Sequence, residues 1–273
     1  VTQSATRKRA RGRPRGGEAG GATVQALDRG LRLMRLLAEQ GEAPLTELAL
    51  SAGMPASTAH RLLMTLQQHG LVDFDETSQD WMIGVEAFRV GSAFVHRLGM
   101  VEASREILRR LVDDTGETAN LGIEQGGDVV FLSQVECLNP IRAFFRPGTR
   151  GHMHASGIGK ALLAAQEPRR VQRMLEEKGL PRFTDKTLTT PSALFADLEA
   201  TRARGWSFDD EERYAGMRCI ASPVFNSYGE AVAGLSISGP SVRFPDAVVA
   251  EMGPRVRRAA AELTQKIGGA APD

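Results

Sequence analysis

"LTELALSAGMPASTAHRLLMTLQQHGLV", residues 45–72, decides how the first third of this chain folds. It reads as two short helices joined by a turn that contains Gly53. On a 3.6-residue wheel referenced to Ala59, the side chains of Leu62, Leu63 and Leu66 fall on its side, whereas Ser57, His60, Arg61 and Met64 cluster opposite. One face packs and the other is free to read something. A polar, slightly basic outer face on the second of two such helices is a helix-turn-helix pattern. A plain three-helix bundle with a merely solvated outer face fits the same spacing.

Working outward, "GLVDFDETSQDWMIG" (70–84) supplies two short strand-like pieces around a polar turn, as a β-wing would. Upstream, "VQALDRGLRLMRLLAEQG" (24–41) predicts a helix with Leu27, Leu31, Met34, Leu37 and Ala38 on its packed face and a stop at Gly41. Further upstream the charge changes abruptly. Residues 1–20 hold six basic side chains and one acid, residues 21–83 hold four basic against eight acidic, and the remaining 190 residues balance at 24 of each. A +5 arm therefore precedes a −4 module in a chain of net charge +1. Like-charge blocks without apolar residues stay unfolded and serve as interaction arms. In "RGRPR" (11–15), Gly12 permits close backbone approach and Pro14 keeps the chain extended, so Arg11, Arg13 and Arg15 can lie along a narrow A·T-rich minor groove, as an AT-hook does. The arm would supply the attraction for phosphates that the acidic module lacks.

At 273 residues and 42% hydrophobic content, the chain can bury a core in one large or two ordinary domains. No apolar run approaches the roughly 20 residues that span a bilayer. Cys137 and Cys219 are too few and too far apart for a disulfide framework or a paired zinc motif, which fits a reducing cytoplasm. Near residue 100 the style changes. "DVVFLSQVE", "PIRAFF", "CIASPVF" and "AVAGLSISG" read as strands alternating with helical stretches, an α+β module. "GVEAFRVGSAFVHRLG" (84–99) permits a helix between the two modules, weakened by Gly91. The division expected is a basic arm over 1–20, a winged helix-turn-helix domain over 21–83, a linker helix over 84–98 and an effector-binding and oligomerisation domain over 99–273.

The second module has features of a small-anion pocket. "HASGIGKALLA" (154–164) runs from small residues into an apolar helix, which puts the amides of Gly157, Ile158 and Gly159 at or near a helix N-terminus. Unpaired amides at the positive end of a helix dipole bind carboxylates; close packing explains the glycines equally well. "GIGK" is not a P-loop, because the fuller spacing lacks its first Gly and Ala161 stands where a hydroxyl would hold Mg²⁺. In "GLSISGP" (234–240), Ser236 and Ser238 point to one face of a strand and Leu235 and Ile237 to the other. Two hydroxyls on a buried face need partners, supplied by a polar ligand or by backbone and water. Cys219 reads alone as a small core residue and Asp209 as a solvated acid or a cap. "HMH" (152–154) makes a poor metal site, with too few ligands nearby.

"VQALDRGLRLMRLLAE", "LTELALSAGMPASTAHRLLMTLQQHGLV", "GHMHASGIGKALLA" and "RGWSFDDEERYAGMRCIASPVF" leading to "LSISGP" follow one another in the order and spacing of the IclR-type transcriptional regulators, which the chain resembles over nearly its full length. The last three stretches are most similar to the glyoxylate-sensing repressor branch. The resemblance implies an α+β chain with an N-terminal winged helix-turn-helix domain, a linker helix and a C-terminal GAF-like effector domain built on an antiparallel sheet. It also implies homodimers that pair into tetramers, and double-stranded operator DNA as partner. The outer face of residues 57–64 is the part expected to contact this DNA, through Ser57, Thr58, His60, Arg61 and Met64. Carried over residue by residue, the resemblance implies effector contacts from Gly157, Ile158, Asp209, Cys219, Ser236 and Ser238. Ile158 stands where a smaller Ala is usual and would contribute through its amide. The apolar wall corresponds to Ala143, Gly151 and Met217, of which the first two are smaller than the family's. The effector expected is a small 2-oxo acid, glyoxylate ahead of pyruvate, with no cofactor and no metal.

Two other classes of function compete. A cysteine enzyme acting on a small aldehyde would need a base to generate the Cys219 thiolate, and no His lies on the neighbouring strand segments. A DNA-architectural protein would use the basic arm and need no effector at all.

Overall fold

In a computed structural model, which describes residues 24–272, the chain forms two compact units that divide between Ala93 and Phe94. The basic arm and its Arg11, Arg13 and Arg15 lie outside the described residues.

The first unit comprises α1 (Gln25–Gln40), β1 (Glu42–Pro44), α2 (Leu45–Ser51), α3 (Ala56–Gln68), β2 (Val72–Asp75) and β3 (Asp80–Ile83). Its three strands are antiparallel in the order β1-β3-β2. Leu33, Leu37, Leu48, Ala59, Leu63, Val72 and Trp81 close its core. The β2–β3 turn is held by Asp75, whose Oδ1 accepts from the amides of Thr77 at 2.7 Å and Ser78 at 3.3 Å. This is an Asx-type stabilisation that a polar turn sequence can provide for itself.

Two sequence expectations about this unit need correction. The buried face of α1 carries Gly30, Leu33 and Leu37, with Met34 at its margin, whereas Leu27, Leu31 and Ala38 are exposed. Leucines at 27/31 and at 33/37 both repeat at helical spacing, and packing against α3 and the sheet selects the second pair. The strand β1 was not expected. Its three residues, ending in Pro44, carry no periodic signal, and they add to the wing by pairing Ala43 with Trp81.

From Val85 to Leu98, α4 carries the chain across the division between the units. The second unit then runs α5 (Met100–Thr115), β4 (Thr118–Gln125), β5 (Asp128–Val135), β6 (Arg150–His152), α6 (Gly157–Ala164), α7 (Pro168–Lys178), α8 (Pro191–Arg204), β7 (Ser207–Asp210), β8 (Met217–Phe225), β9 (Ala231–Pro240) and α9 (Asp246–Lys266). Single 3₁₀ turns precede α6 and α9. Six antiparallel strands form one sheet in the order β6-β5-β4-β9-β8-β7. Helices cover both faces. Ile107, Leu108 and Leu111 of α5 and Val256, Ala260 and Leu263 of α9 pack on one face against Leu235, Ile237 and Ile220. On the other, Ile158, Ala161 and Leu162 of α6 and Leu194 and Leu198 of α8 pack around Val129, Phe131 and Ala221. The period-2 alternation of β9 is thus used on both sides. Pro223 sits inside β8 without breaking a ladder because β7 pairs only with Arg218–Ala221.

"PIRAFF" (140–145) is not a strand. The edge of β5 that it would have needed is taken by β6 over Asp128–Val130 and by Phe131, whose amide donates to the Thr149 carbonyl at 3.0 Å. The segment is instead held by Arg243, which donates to the Ile141 carbonyl at 3.0 Å and pairs with the buried Glu117. Among the described residues no helix is long and apolar enough to cross a membrane.

Candidate functional site

Two regions bear chemistry. On α3, Ser57, His60, Arg61 and Met64 are exposed and Thr58 is half-buried, opposite the buried Ala59 and Leu63 and the half-buried Leu62 and Leu66. Pro55 occupies the N-cap position with no side-chain cap, so first-turn amides remain open at the end of the helix that favours phosphate. The His60 ring stands edge-on to Trp81 with centroids 6.3 Å apart, and Trp81 packs on Phe74 at 4.9 Å. The wing thereby braces the outer face of α3, a link that sequence spacing cannot show.

The second region is a cleft in the C-terminal unit, enclosing about 550 Å³ counted to its open mouth. Its floor is the sheet, and strand register explains its composition. Asp209 on β7 lies opposite Cys219 on β8, which lies opposite Ser238 on β9. The next row places Ala221, Ser236, Asn120 and Gln134 side by side across β8, β9, β4 and β5. All these residues face α6, whose N-terminus closes the cleft from above. Gly157 is needed there because a Cβ would meet Cys219 Sγ at 2.6 Å, and at Gly159 it would meet the Met153 carbonyl oxygen at 2.1 Å. Ser207 clamps the helix start, donating to the Gly157 carbonyl at 2.6 Å.

The amides at this N-terminus are not equivalent. Ser156 caps the helix by accepting from Gly159 at 3.4 Å, its carbonyl accepts from Lys160 at 2.9 Å, and the Gly157 amide faces the Cys219 sulfur. Gly157 and Ile158 keep their amides closest to the cleft, and Gly159 is withdrawn by the cap. Gly157, Ile158, Asp209, Met217, Cys219, Ser236 and Ser238 all line the cleft, as does Gly151; Ala143 is buried away from it. The walls are otherwise formed by residues that no sequence motif marks. Phe131 and Phe145 stack with centroids 4.5 Å apart, and Arg213 lies 3.8 Å over the Phe183 ring. Arg213 and Tyr214 reach the mouth.

Behind Asp209 lies a buried charge cluster. Lys160, fully buried, is 2.5 Å from Glu212 Oε1 and 3.1 Å from Asp197 Oδ2, and also donates to the Phe208 carbonyl. The Glu212 amide donates to Asp209 Oδ1 at 2.8 Å. The lysine of "GIGK" is therefore a structural counter-ion. Burial pushes Asp209 up to about 6 and Glu212 up to about 7, against the lowering field of Lys160. Burial alone would lower Lys160, but Glu212, Asp197 and Asp209 together raise it. A lysine inside an otherwise apolar helix was a usable signal, since a buried ammonium requires paired acids.

Burial, then Asp209, pushes the Cys219 thiol up to about 12, so it is a neutral thiol at neutral pH. Burial lowers both His152 and His154, and His154 Nε2 lies 3.1 Å from the Pro181 carbonyl. Among the described residues no cluster of three or more His, Cys, Asp or Glu side chains could hold a metal ion.

Comparison with known proteins accounts for both regions. Residues 26–76 match the IclR helix-turn-helix domain and residues 92–265 match the C-terminal domain of the bacterial transcriptional regulator IclR. The chain is 53% identical over 262 residues to the HTH-type transcriptional regulator BhcR of Paracoccus denitrificans, covering 94% of each. To the transcriptional repressor IclR of Escherichia coli it is 43% identical over 249 residues, covering 90% of this chain and 91% of that one. The crystal structure of an IclR homolog from Microbacterium hydrocarbonoxydans, complexed with 4-hydroxybenzoate, has the same fold. Its TM-score is 0.80 at 22% identity, over 89% of this chain and 99% of that one.

Proposed function

The chain belongs to the IclR family of transcriptional regulators, and from that premise we propose that it is a repressor whose grip on operator DNA is changed by a small 2-oxo acid, glyoxylate ahead of pyruvate. The relative named as a repressor, IclR of Escherichia coli, supports the sign of regulation. One observation carries the effector reading: residues remote in the chain converge on one cleft that brings hydrogen-bond donors and a buried acid together. The amides of Gly157 and Ile158 and the hydroxyls of Ser236 and Ser238 suit a carboxylate, and Arg213 at the mouth adds positive potential. Asp209 repels an anion unless the ligand offers it a donor or the acid takes up a proton. Glyoxylate in water is largely a gem-diol with two hydroxyl donors, whereas pyruvate is mostly an unhydrated ketone. A raised Asp209 is poised for either route.

Met217, the Phe131–Phe145 stack and the neutral Cys219 would form the apolar contacts, Cys219 as a soft neighbour rather than a nucleophile. No histidine lines the cleft among the described residues to generate a thiolate, which counts against a cysteine-dependent reaction. On DNA, Ser57, Thr58, His60, Arg61 and Met64 of α3 would enter the major groove while the basic arm tracks the adjacent minor groove, in a homodimer or a pair of dimers.

DNA binding to the protein's own upstream region, titrated with glyoxylate, pyruvate and glycolate, tests the whole reading. Operator affinity should change most with glyoxylate. Affinity indifferent to all three, with binding intact, would leave a DNA-architectural protein instead.

A further inference from the structure

The two serines on the cleft floor do not stand alone. Asn120 on β4 is fully buried beside them, and its Nδ2 lies 3.4 Å from both Ser236 Oγ and Ser238 Oγ. Its Oδ1 accepts from Gln134 Nε2 on β5 at 2.8 Å. A carboxamide nitrogen has two hydrogens and cannot accept, so with both directed at the serines its donor capacity is spent. Gln134 fixes which end of the Asn120 amide faces them, because only the oxygen end can accept a Gln134 hydrogen.

Each serine oxygen receives a hydrogen from Asn120, and each serine has a single hydrogen of its own to direct elsewhere. On that side lie the cleft and the neutral Cys219 sulfur, a weak acceptor that both hydroxyls approach and that a ligand oxygen outcompetes. A lone serine adapts to either donor or acceptor by rotating its hydroxyl. Here the Gln134–Asn120 chain removes that freedom and turns both hydroxyls into donors towards the ligand. The polarity runs one way, from the edge of the sheet into the cleft.

We infer that Asn120, oriented by Gln134, is a specificity-determining positioning residue that makes the cleft floor demand a hydrogen-bond acceptor, selecting a carboxylate over the corresponding amide. This deepens the 2-oxo acid reading and rests on it. A ligand amide would turn N–H hydrogens towards the serine hydroxyl hydrogens, and one of the buried groups would go unpaired.

Calorimetry on the full chain with glyoxylate and with its neutral amide tests the inference, alongside melting curves. Asn120→Asp keeps the shape but replaces the donor end by an acceptor, so the serines should turn inward to it. Gln134→Glu, at a half-buried position, removes the hydrogen that orients Asn120 and should reverse its amide. Either change should shrink the acid-to-amide preference by about 10- to 100-fold, the worth of a hydrogen bond to a charged group. A structural role alone would weaken both probes together and leave the ratio unchanged. Should Asn120→Asp fail to fold, Gln134→Glu decides. Wild-type protein that binds glyoxylate, with the wild-type ratio preserved in a folded variant, overturns the relay. Wild-type protein that binds neither glyoxylate nor pyruvate overturns the effector reading instead.

Discussion

The outer face of α3 and the cleft of the C-terminal unit both expose chemistry to a partner, but they are built in opposite ways. The α3 face comes from one continuous segment and its members are exposed, so nothing in the core depends on Ser57, His60, Arg61 or Met64. The cleft draws on β7, β8, β9 and the start of α6, and its polar residues Asp209, Ser236 and Ser238 are themselves buried. A reading surface can change its message without touching the fold. A buried polar cleft cannot, because each group is also a term in the stability of the unit that holds it.

The largest effect expected is therefore at Lys160. Lys160→Met removes the buried cation that Glu212 and Asp197 share, leaving Asp197 only a 3.9 Å contact with Arg204 and Glu212 facing buried acids. Removing one partner of a buried ion pair costs about 3–5 kcal/mol. Calorimetric melting should show that loss in the C-terminal unit, with the N-terminal unit unchanged; a loss below about 1 kcal/mol would mean the acids are already neutral without the lysine.

On the other side of the comparison, Arg61→Ala should leave melting within about 0.5 kcal/mol of wild type, as exposed positions do. It should nonetheless reduce the preference for operator over scrambled DNA by roughly 1–3 kcal/mol, the value of a bidentate Arg–guanine contact. Binding assays at fixed salt read this directly. An unchanged preference would move the base-reading role to a neighbouring position on α3.

The same contrast explains what could be read from the chain in advance. The split of α3 into Ala59/Leu63 and Ser57/His60/Arg61 is a local property of helical period, and so was legible. Ser236 and Ser238 were legible for a similar reason, since strand alternation separates them from Leu235 and Ile237. Asn120 and Gln134 were not, because they become neighbours of the serines only through the register of β4 between β9 and β5. "PIRAFF" has the composition of a strand, but β6 takes the edge of β5 over Asp128–Val130 and Arg243 holds the segment by the Ile141 carbonyl, which are facts about other elements rather than about its own residues. In α1 the period holds and Leu37 and Met34 turn inward as expected, but Leu27, Leu31 and Ala38 do not, because two leucine pairs compete and only tertiary packing chooses between them.

Asp209 gives the next effect in size. Its folded pKa of about 6 lies above the ordinary 3.8, so the stability it contributes is fully present below pH 4 and is lost as pH rises through 6. Asp209→Asn should flatten the fall in melting temperature of the C-terminal unit between pH 4 and 7. The same proton governs ligands. Pyruvate, lacking a donor for the ionised acid, should bind up to about tenfold less tightly per pH unit above 6. Glyoxylate hydrate, donating to the carboxylate, should lose much less. Parallel pH profiles for the two ligands in calorimetry would remove Asp209 from any account of selectivity.

The smallest effect belongs to Leu27 on α1, where the competition between leucine pairs can be settled by substitution. Leu33 is fully buried while Leu27 and Leu31 are 62% and 47% exposed. Deleting the buried side chain costs both its transfer free energy and a cavity, so Leu33→Ala should lower stability by about 2–5 kcal/mol. Leu27→Ala exchanges one solvated apolar side chain for a smaller one with higher helix propensity, and should change melting by less than about 0.5 kcal/mol. Comparing the two variants at low protein concentration isolates the packing within one chain. A Leu27→Ala loss that grew with protein concentration would show the outer stripe buried against a second copy, and a loss matching that of Leu33→Ala at every concentration would restore the face first expected from the sequence.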